Sequence, residues 1–221
     1  YVVATPIGNL AHITERAATV LREVDRVVAE DTRVSGRLLS ALGVSAPLRT
    51  YHDHNKERVT PGLIGELKAG TSIALITDAG TPGIADPAFY LVRAAIEANI
   101  RVVPIPGASA LVAALVCSGL PTDRFAFENF APAKPTKRRK LLAGFVGEKR
   151  TVVFYESPHR IVRLLRDMAE VLGDIRVVIA RELTKRHEEF LRGTPRELLR
   201  HFEQRAPRGE MVVLFNPGIR C

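Results

Sequence analysis

Residues 72–87 read SIALITDAGTPGIADP, and this stretch decides the fold. Ile73, Ala74, Leu75 and Ile76 are apolar in succession rather than in alternation. A short run of that kind predicts a strand buried on both faces, as in parallel sheets covered by helices. The loop behind it, TDAGTPGIADP (77–87), is dense in glycine and proline. Glycine lets backbone approach a ligand closely, and proline fixes a loop's shape at little entropic cost. In open α/β sheets the carboxyl ends of strands are where ligands bind.

Working outward, β-rich runs occur at 1–4, 26–29, 101–105 and, more weakly, 47–51, with helical patterns between them. Thr14 is an expected N-cap, with Ala17, Ala18, Leu21 and Val24 on one face; further helices fit 34–42, 59–69 and 88–98. Alternating strands and helices imply right-handed crossovers and a doubly wound, mostly parallel sheet. Residues 107–118 form a nearly all-apolar helix, expected in a core or at a subunit contact, with Gly119 and Pro121 stopping it. The junction follows, so the expected domains are 1–119 and 120–221.

The second half changes rhythm. Strands are expected at 125–130, 151–155, 176–180, 188–192 and 211–215. Those at 176 and 188 stand too close for a helical crossover, so the second α/β domain should hold a mixed sheet. Ser157 is read as the cap of a helix whose stripe is Ile161, Leu164, Leu165, Met168 and Leu172, ended by Gly173.

Composition narrows the function. The chain has 221 residues, 46% of them hydrophobic, which excludes disorder as the default. Two cysteines, Cys117 and Cys221, lie far apart, against a disulfide framework or zinc site and in keeping with a reducing, cytoplasmic compartment. The apolar stretch 108–116 is too short to span a bilayer, and the first residues lack the basic segment of a signal peptide. The chain begins at Tyr1 rather than Met, so its natural start is expected elsewhere. Net charge is +8, and residues 131–166 hold ten Lys or Arg against two Glu. A basic face on an otherwise neutral chain fits a polyanionic partner; a solvated surface is the bland alternative.

Two more loops join the first. ATPIGNL (4–10) follows the first strand but lacks the three-glycine dinucleotide pattern; PIPGASA (104–110) follows the strand at 101. Three turn-rich loops on one sheet edge predict a small-molecule site, with Pro6, Gly8, Asp78, Gly80 and Pro106 in the loops and Ser109 offering a hydroxyl at a helix start. EDTR (30–33) and YHDHN (51–55) end the second and third strands as a polar rim or as helix caps. His52 and His54 lack the further ligands a metal needs, so no metal is expected.

These motifs, with SGLPTDRF (118–125), FYESPHR (154–160), ARELTK (180–185) and GEMVV (209–213), resemble in order the ribosomal small-subunit methyltransferase I family. Its members are ribosomal RNA 2'-O-methyltransferases of the tetrapyrrole-methylase fold. The resemblance implies S-adenosylmethionine in a cleft between two α/β domains, a homodimer, and methylation of a cytidine ribose in the decoding region of small-subunit RNA. By motif position, Tyr155, Ala180 and Met211 join Ile7, Thr81, Ile84, Ser109 and Ala110 as cofactor contacts. Ala108 stands where the family pattern has proline. Proton transfer from a ribose hydroxyl points to Asp31 or Glu182 as base, and stabilisation of the alkoxide to Lys185 or Arg33. RNA phosphates are expected at Lys137, Arg138, Arg139 and Lys140, with Arg33, Arg160 and Arg163 beside them. The alternatives are methylation of a tetrapyrrole precursor by the same fold and a non-catalytic RNA-binding module.

Overall fold

Thr14 caps the first helix as its sequence requires: its Oγ1 accepts a hydrogen bond from Ala17 N at 3.1 Å. In the computed structural model, which describes residues 1–220, the N-terminal strands are β1 (Val2–Val3), β2 (Arg26–Ala29), β3 (Leu48–Thr50), β4 (Ile73–Leu75) and β5 (Pro104–Ile105). Cys221 lies outside the described residues. The helices between are α1 (Glu15–Glu23), α2 (Thr32–Ala41), α3 (Lys56–Lys68) and α4 (Ala88–Glu97). All pairings are parallel, in the order β3-β2-β4-β1-β5. Successive residues serve opposite faces. Val27, Ala29, Ala74 and Ile76 pack with Ala17 and Leu21, while Val28, Ile73 and Leu75 pack with Leu63 and Leu91. That is why these strands read as unbroken apolar runs; each fully buried Val, Leu or Ile contributes about 1.5–3 kcal/mol.

The second half holds α5 (Ala110–Ser118), β6 (Phe125–Phe130), α6 (Pro135–Ala143), β7 (Thr151–Glu156), α7 (Ile161–Val171), β8 (Ile175–Arg181), β9 (Glu189–Gly193), α8 (Pro195–Gln204) and β10 (Met211–Arg220). The sheet order is β6-β7-β10-β8-β9. β6 and β7 are parallel and the other pairs antiparallel, so the sheet is mixed as expected. Phe154 and Phe215 stack at 5.9 Å in its core, with Phe145 edge-on to both.

Three features differ from the sequence reading. The chain divides after Ser109 rather than after Gly119, because α5 packs on β7, β8 and β10. Arg192 of β9 donates to the α5 carbonyls of Cys117 at 2.7 Å and Ser118 at 3.3 Å, a cation at the negative end of the helix dipole. The helix expected from Ser157 begins at Ile161; Arg160 N and Ile161 N both donate to Ser157 O at 3.1 Å, forming a turn first. Finally, α8 escaped notice although Thr194 and Glu197 spell a capping box, with Thr194 Oγ1 taking Glu197 N and Glu197 Oε2 taking Thr194 N.

Candidate functional site

The three loops of the parallel sheet are tied to one another. Thr5 N donates to Gly80 O at 2.8 Å and Gly80 N to Thr5 O at 3.1 Å; Thr5 Oγ1 donates to Thr77 O. Thr81 Oγ1 donates to Ala108 O at 3.0 Å. A Cβ on Gly107 would stand 2.9 Å from that of Ala4, and one on Gly80 (φ +88°) would stand 3.3 Å from Ile7 Cγ2. These glycines are therefore required by loop meeting loop, before any ligand arrives. Asp86 accepts from Gly83 N and Ala88 N, closing the long loop onto α4. The structure thus brings Pro6, Ile7, Gly8, Asp78, Gly80, Thr81, Ile84 and Pro106 to one sheet edge, with Ser109 and Ala110 where the next helix begins.

Carboxylates crowd the same edge. Asp31 N donates to Asp78 Oδ1 at 3.1 Å, joining the EDTR and TDAG segments. Burial raises the pKa of Glu30, Asp78 and Asp86, and Glu30 also feels the charges of Asp78, Asp86, Asp53 and Asp31. Asp31 behaves oppositely. It caps α2 by accepting Arg33 N, and both its oxygens take the Arg33 side chain, at 3.1 and 2.7 Å, which holds its pKa at about 2. A carboxylate so weakly basic and so fully engaged is a helix cap rather than a proton acceptor, and Arg33 is its partner. The His52 and His54 rings stand edge to face at 5.9 Å. Among the described residues, no three His, Cys, Asp or Glu are grouped to hold a metal ion.

In the second unit, Glu182 and Lys185 meet at the end of β8. Lys185 Nζ donates to Glu182 Oε1 at 3.0 Å and to Glu210 Oε2 at 2.9 Å. Burial lowers the Lys185 pKa, but the two carboxylates outweigh it and hold the ammonium above its ordinary value. The Lys185 hydrogen bond is the chief reason Glu182 falls below its own. Glu182 and Thr184 take left-handed φ values, +50° and +66°, and a Cβ at Gly209 (φ +78°) would overlap the Glu182 side chain. Sequence reasoning missed Gly209 and Glu210, although both stand in the GEMVV segment. Tyr155 lies edge-on to Phe127 and Phe130. Ala180 and Met211 have their side chains buried in the sheet, so what they offer a ligand is backbone.

The basic segment divides. Lys137 and Lys140 on α6, and Arg163 on α7, are exposed and form no ion pair among the described residues. Arg138 is a correction: its side chain is 5% exposed and pairs with Asp167, 4% exposed, at 2.6 Å. Arg139 pairs with Asp167 and Glu170, and Arg160 with Glu156. Arg138 is committed within the protein, whereas Arg139 keeps about half of its side chain at the surface.

Comparison places this architecture among known folds. A diphthine synthase aligns with TM-score 0.71 at 16% identity, over 97% of this chain and 88% of its own. A cobalt-precorrin-4 methyltransferase aligns with TM-score 0.67 at 18% identity, over 98% and 93%. The model of the Tetrapyrrole (Corrin/Porphyrin) Methylases matches residues 1–199, so the class is that of the tetrapyrrole methylases. Within it, the ribosomal RNA small subunit methyltransferase I of a Synechocystis strain is 50% identical over 215 residues, 97% of this chain and 77% of that protein. The Escherichia coli O157:H7 protein of the same description is 49% identical over 97% of this chain and 76% of its own. The chain belongs to the ribosomal RNA small subunit methyltransferase I family.

Proposed function

We propose that this protein uses S-adenosylmethionine to methylate a ribose 2'-hydroxyl, of a cytidine in the decoding region, in small-subunit ribosomal RNA. The observation that carries the reading is the cluster of three interlocked loops at the carboxyl edge of the parallel sheet, in a chain of this family. The residues present fit the cofactor. Ile7 and Ile84 give apolar contact, Gly8, Ala108 and Ser109 are small, and the carboxylate of Asp78 suits a cationic group. When bound, S-adenosylmethionine supplies a methyl group on a positively charged sulfur.

The chain's own residues position and manage charge. Fixed loops hold the reacting groups in line, which supplies much of the rate in methyl transfer. Lys185, kept charged by Glu182 and Glu210, is suited to stabilise a developing alkoxide. The base role moves from Asp31 and Glu182, both held below their ordinary pKa, to Glu30, whose pKa is raised and whose carboxylate makes no hydrogen bond among the described residues. We further infer a homodimer, as the family implies, and a cytoplasmic location, in keeping with two well-separated cysteines. No helix among the described residues is long and apolar enough to cross a membrane.

The test is methyl transfer from labelled S-adenosylmethionine to naked small-subunit RNA, assembled small subunits and a tetrapyrrole precursor. Label in ribose of RNA or subunits is expected. Label in the tetrapyrrole alone would move the substrate to the other branch of the fold, and no label anywhere would leave a binding module.

A further inference from the structure

One buried arginine, Arg138, and one half-buried one, Arg160, organise the basic segment. Arg138 Nε donates to Asp167 Oδ2 at 2.6 Å, and its Nη1 donates to Pro132 O at 3.2 Å and Ala133 O at 3.1 Å. Arg160 donates to the neighbouring carbonyl, Ala131 O, and its Nε lies 3.3 Å from Glu156 Oε1. Glu156 is itself 3% exposed and takes Ser157 N on the same oxygen at 2.9 Å. Three consecutive carbonyls, 131 to 133, are therefore held by two guanidinium groups, each oriented by a buried carboxylate. The chain enters α6 directly afterwards, at Pro135.

The exposed cations ride on what is held. Lys134, Lys137 and Lys140 are exposed and unpaired among the described residues, whereas Arg138 in their midst points inward to α7. We propose that Arg138–Asp167 and Arg160–Glu156 form a latch that fixes residues 131–134 and the start of α6, presenting Lys134, Lys137 and Lys140 to RNA phosphates. Arg138 and Arg160 are positioning residues in this arrangement. The inference rests on the reading of RNA as substrate. Its chemical signature is the guanidinium fork: Arg138 spans a carboxylate and two carbonyls and Arg160 a carboxylate and one, a spread that lysine's compact ammonium does not match. At an exposed phosphate contact lysine still supplies the positive charge, as a point charge without the bidentate fork.

The experiment therefore exchanges arginine for lysine at unchanged charge. Arg138→Lys and, separately, Arg160→Lys are compared with the parent for binding to naked small-subunit RNA and for amide hydrogen exchange. Each should speed exchange within residues 131–140 by on the order of tenfold while β7, β8 and β10 stay protected, and should weaken RNA binding several-fold. The Arg160→Lys change touches a side chain 30% exposed, so it reports even where Arg138→Lys fails to fold. Parent-like exchange and RNA affinity in Arg160→Lys or in a folded Arg138→Lys would overturn the latch. A third variant, with Lys134, Lys137 and Lys140 all changed to Gln, tests the underlying reading. It should bind RNA more weakly, with a salt slope smaller by about 2–3 for three lost phosphate contacts. An unchanged slope there would remove RNA from this face, whatever the exchange data show.

Discussion

Glu30, the proposed base, sits where burial works against its charged form. Burial, then the charges of Asp78, Asp86, Asp53 and Asp31, raise its pKa above the ordinary 4.5. A carboxyl raised in the folded state binds more protons there than in the unfolded chain. Its contribution to stability is therefore present below about pH 4.5 and falls as pH rises through the window up to the raised value. Glu30→Gln is expected to raise the melting temperature at neutral pH and to lose that gain near pH 4, which calorimetry at the two pH values checks. Methyl transfer should fall by about a hundredfold, as for removal of a general base, with the acid limb of the pH profile lost. Full activity with an unchanged pH profile would assign the proton elsewhere. Gly209 shows the same economy at the other site: only a residue without a Cβ, at φ +78°, leaves Glu182 room to hold Lys185.

Among the elements, α8 owes its start to a local device. Thr194 and Glu197 satisfy each other's backbone amides, Pro195 presets the first turn, and Leu198 and Phe202 anchor the buried side. Thr194→Ala should cost about 1 kcal/mol and lower the melting temperature by roughly 2–4 °C, with methyl transfer unaffected at a temperature where the protein is folded. Calorimetry decides it, and an unchanged midpoint would mean that packing alone sets the helix start. The element α5 makes the opposite case. Its own sequence is apolar nearly all round and specifies no face; the docking of Ala114 and Leu115, and the Arg192 cap, choose one for it.

At the scale of the whole molecule, charge and apolar surface are unevenly spread. Residues 1–109 carry 11 basic and 11 acidic side chains, whereas residues 110–221 carry 21 and 13, so the second unit holds the entire +8. On α5, Val112 and Val116 remain 51% and 66% exposed. An apolar helix with such residues facing outward fits a symmetric contact, and it motivates the homodimer. Light scattering at micromolar concentration should give twice the chain mass, and Val116→Lys should shift it towards the monomer. A parent that scatters as a monomer defeats the idea; a dimer indifferent to Val116→Lys moves the contact away from α5.

The parallel sheet was legible because its evidence is local. Buried strands require successive apolar residues, caps and glycine turns act within a few positions, and nine ordered motifs mark the family. The loops of the candidate site were legible for the same reason, since each follows its strand directly. What each polar residue does there was not. Lys137 and Arg138 are neighbours in the chain, yet one faces solvent and the other enters a buried pair with a carboxylate 29 residues away. Asp31, Glu30 and Asp78 look alike in sequence, yet Arg33 holds the first at about 2 while burial raises the other two. Burial and distant partners set those differences, because the cost of a charge depends on the dielectric and the neighbours around it. The sequence by itself determined where the strands, loops and charges lie along the chain. Only the tertiary structure decided which charges are spent on holding the protein together and which are left to meet a substrate.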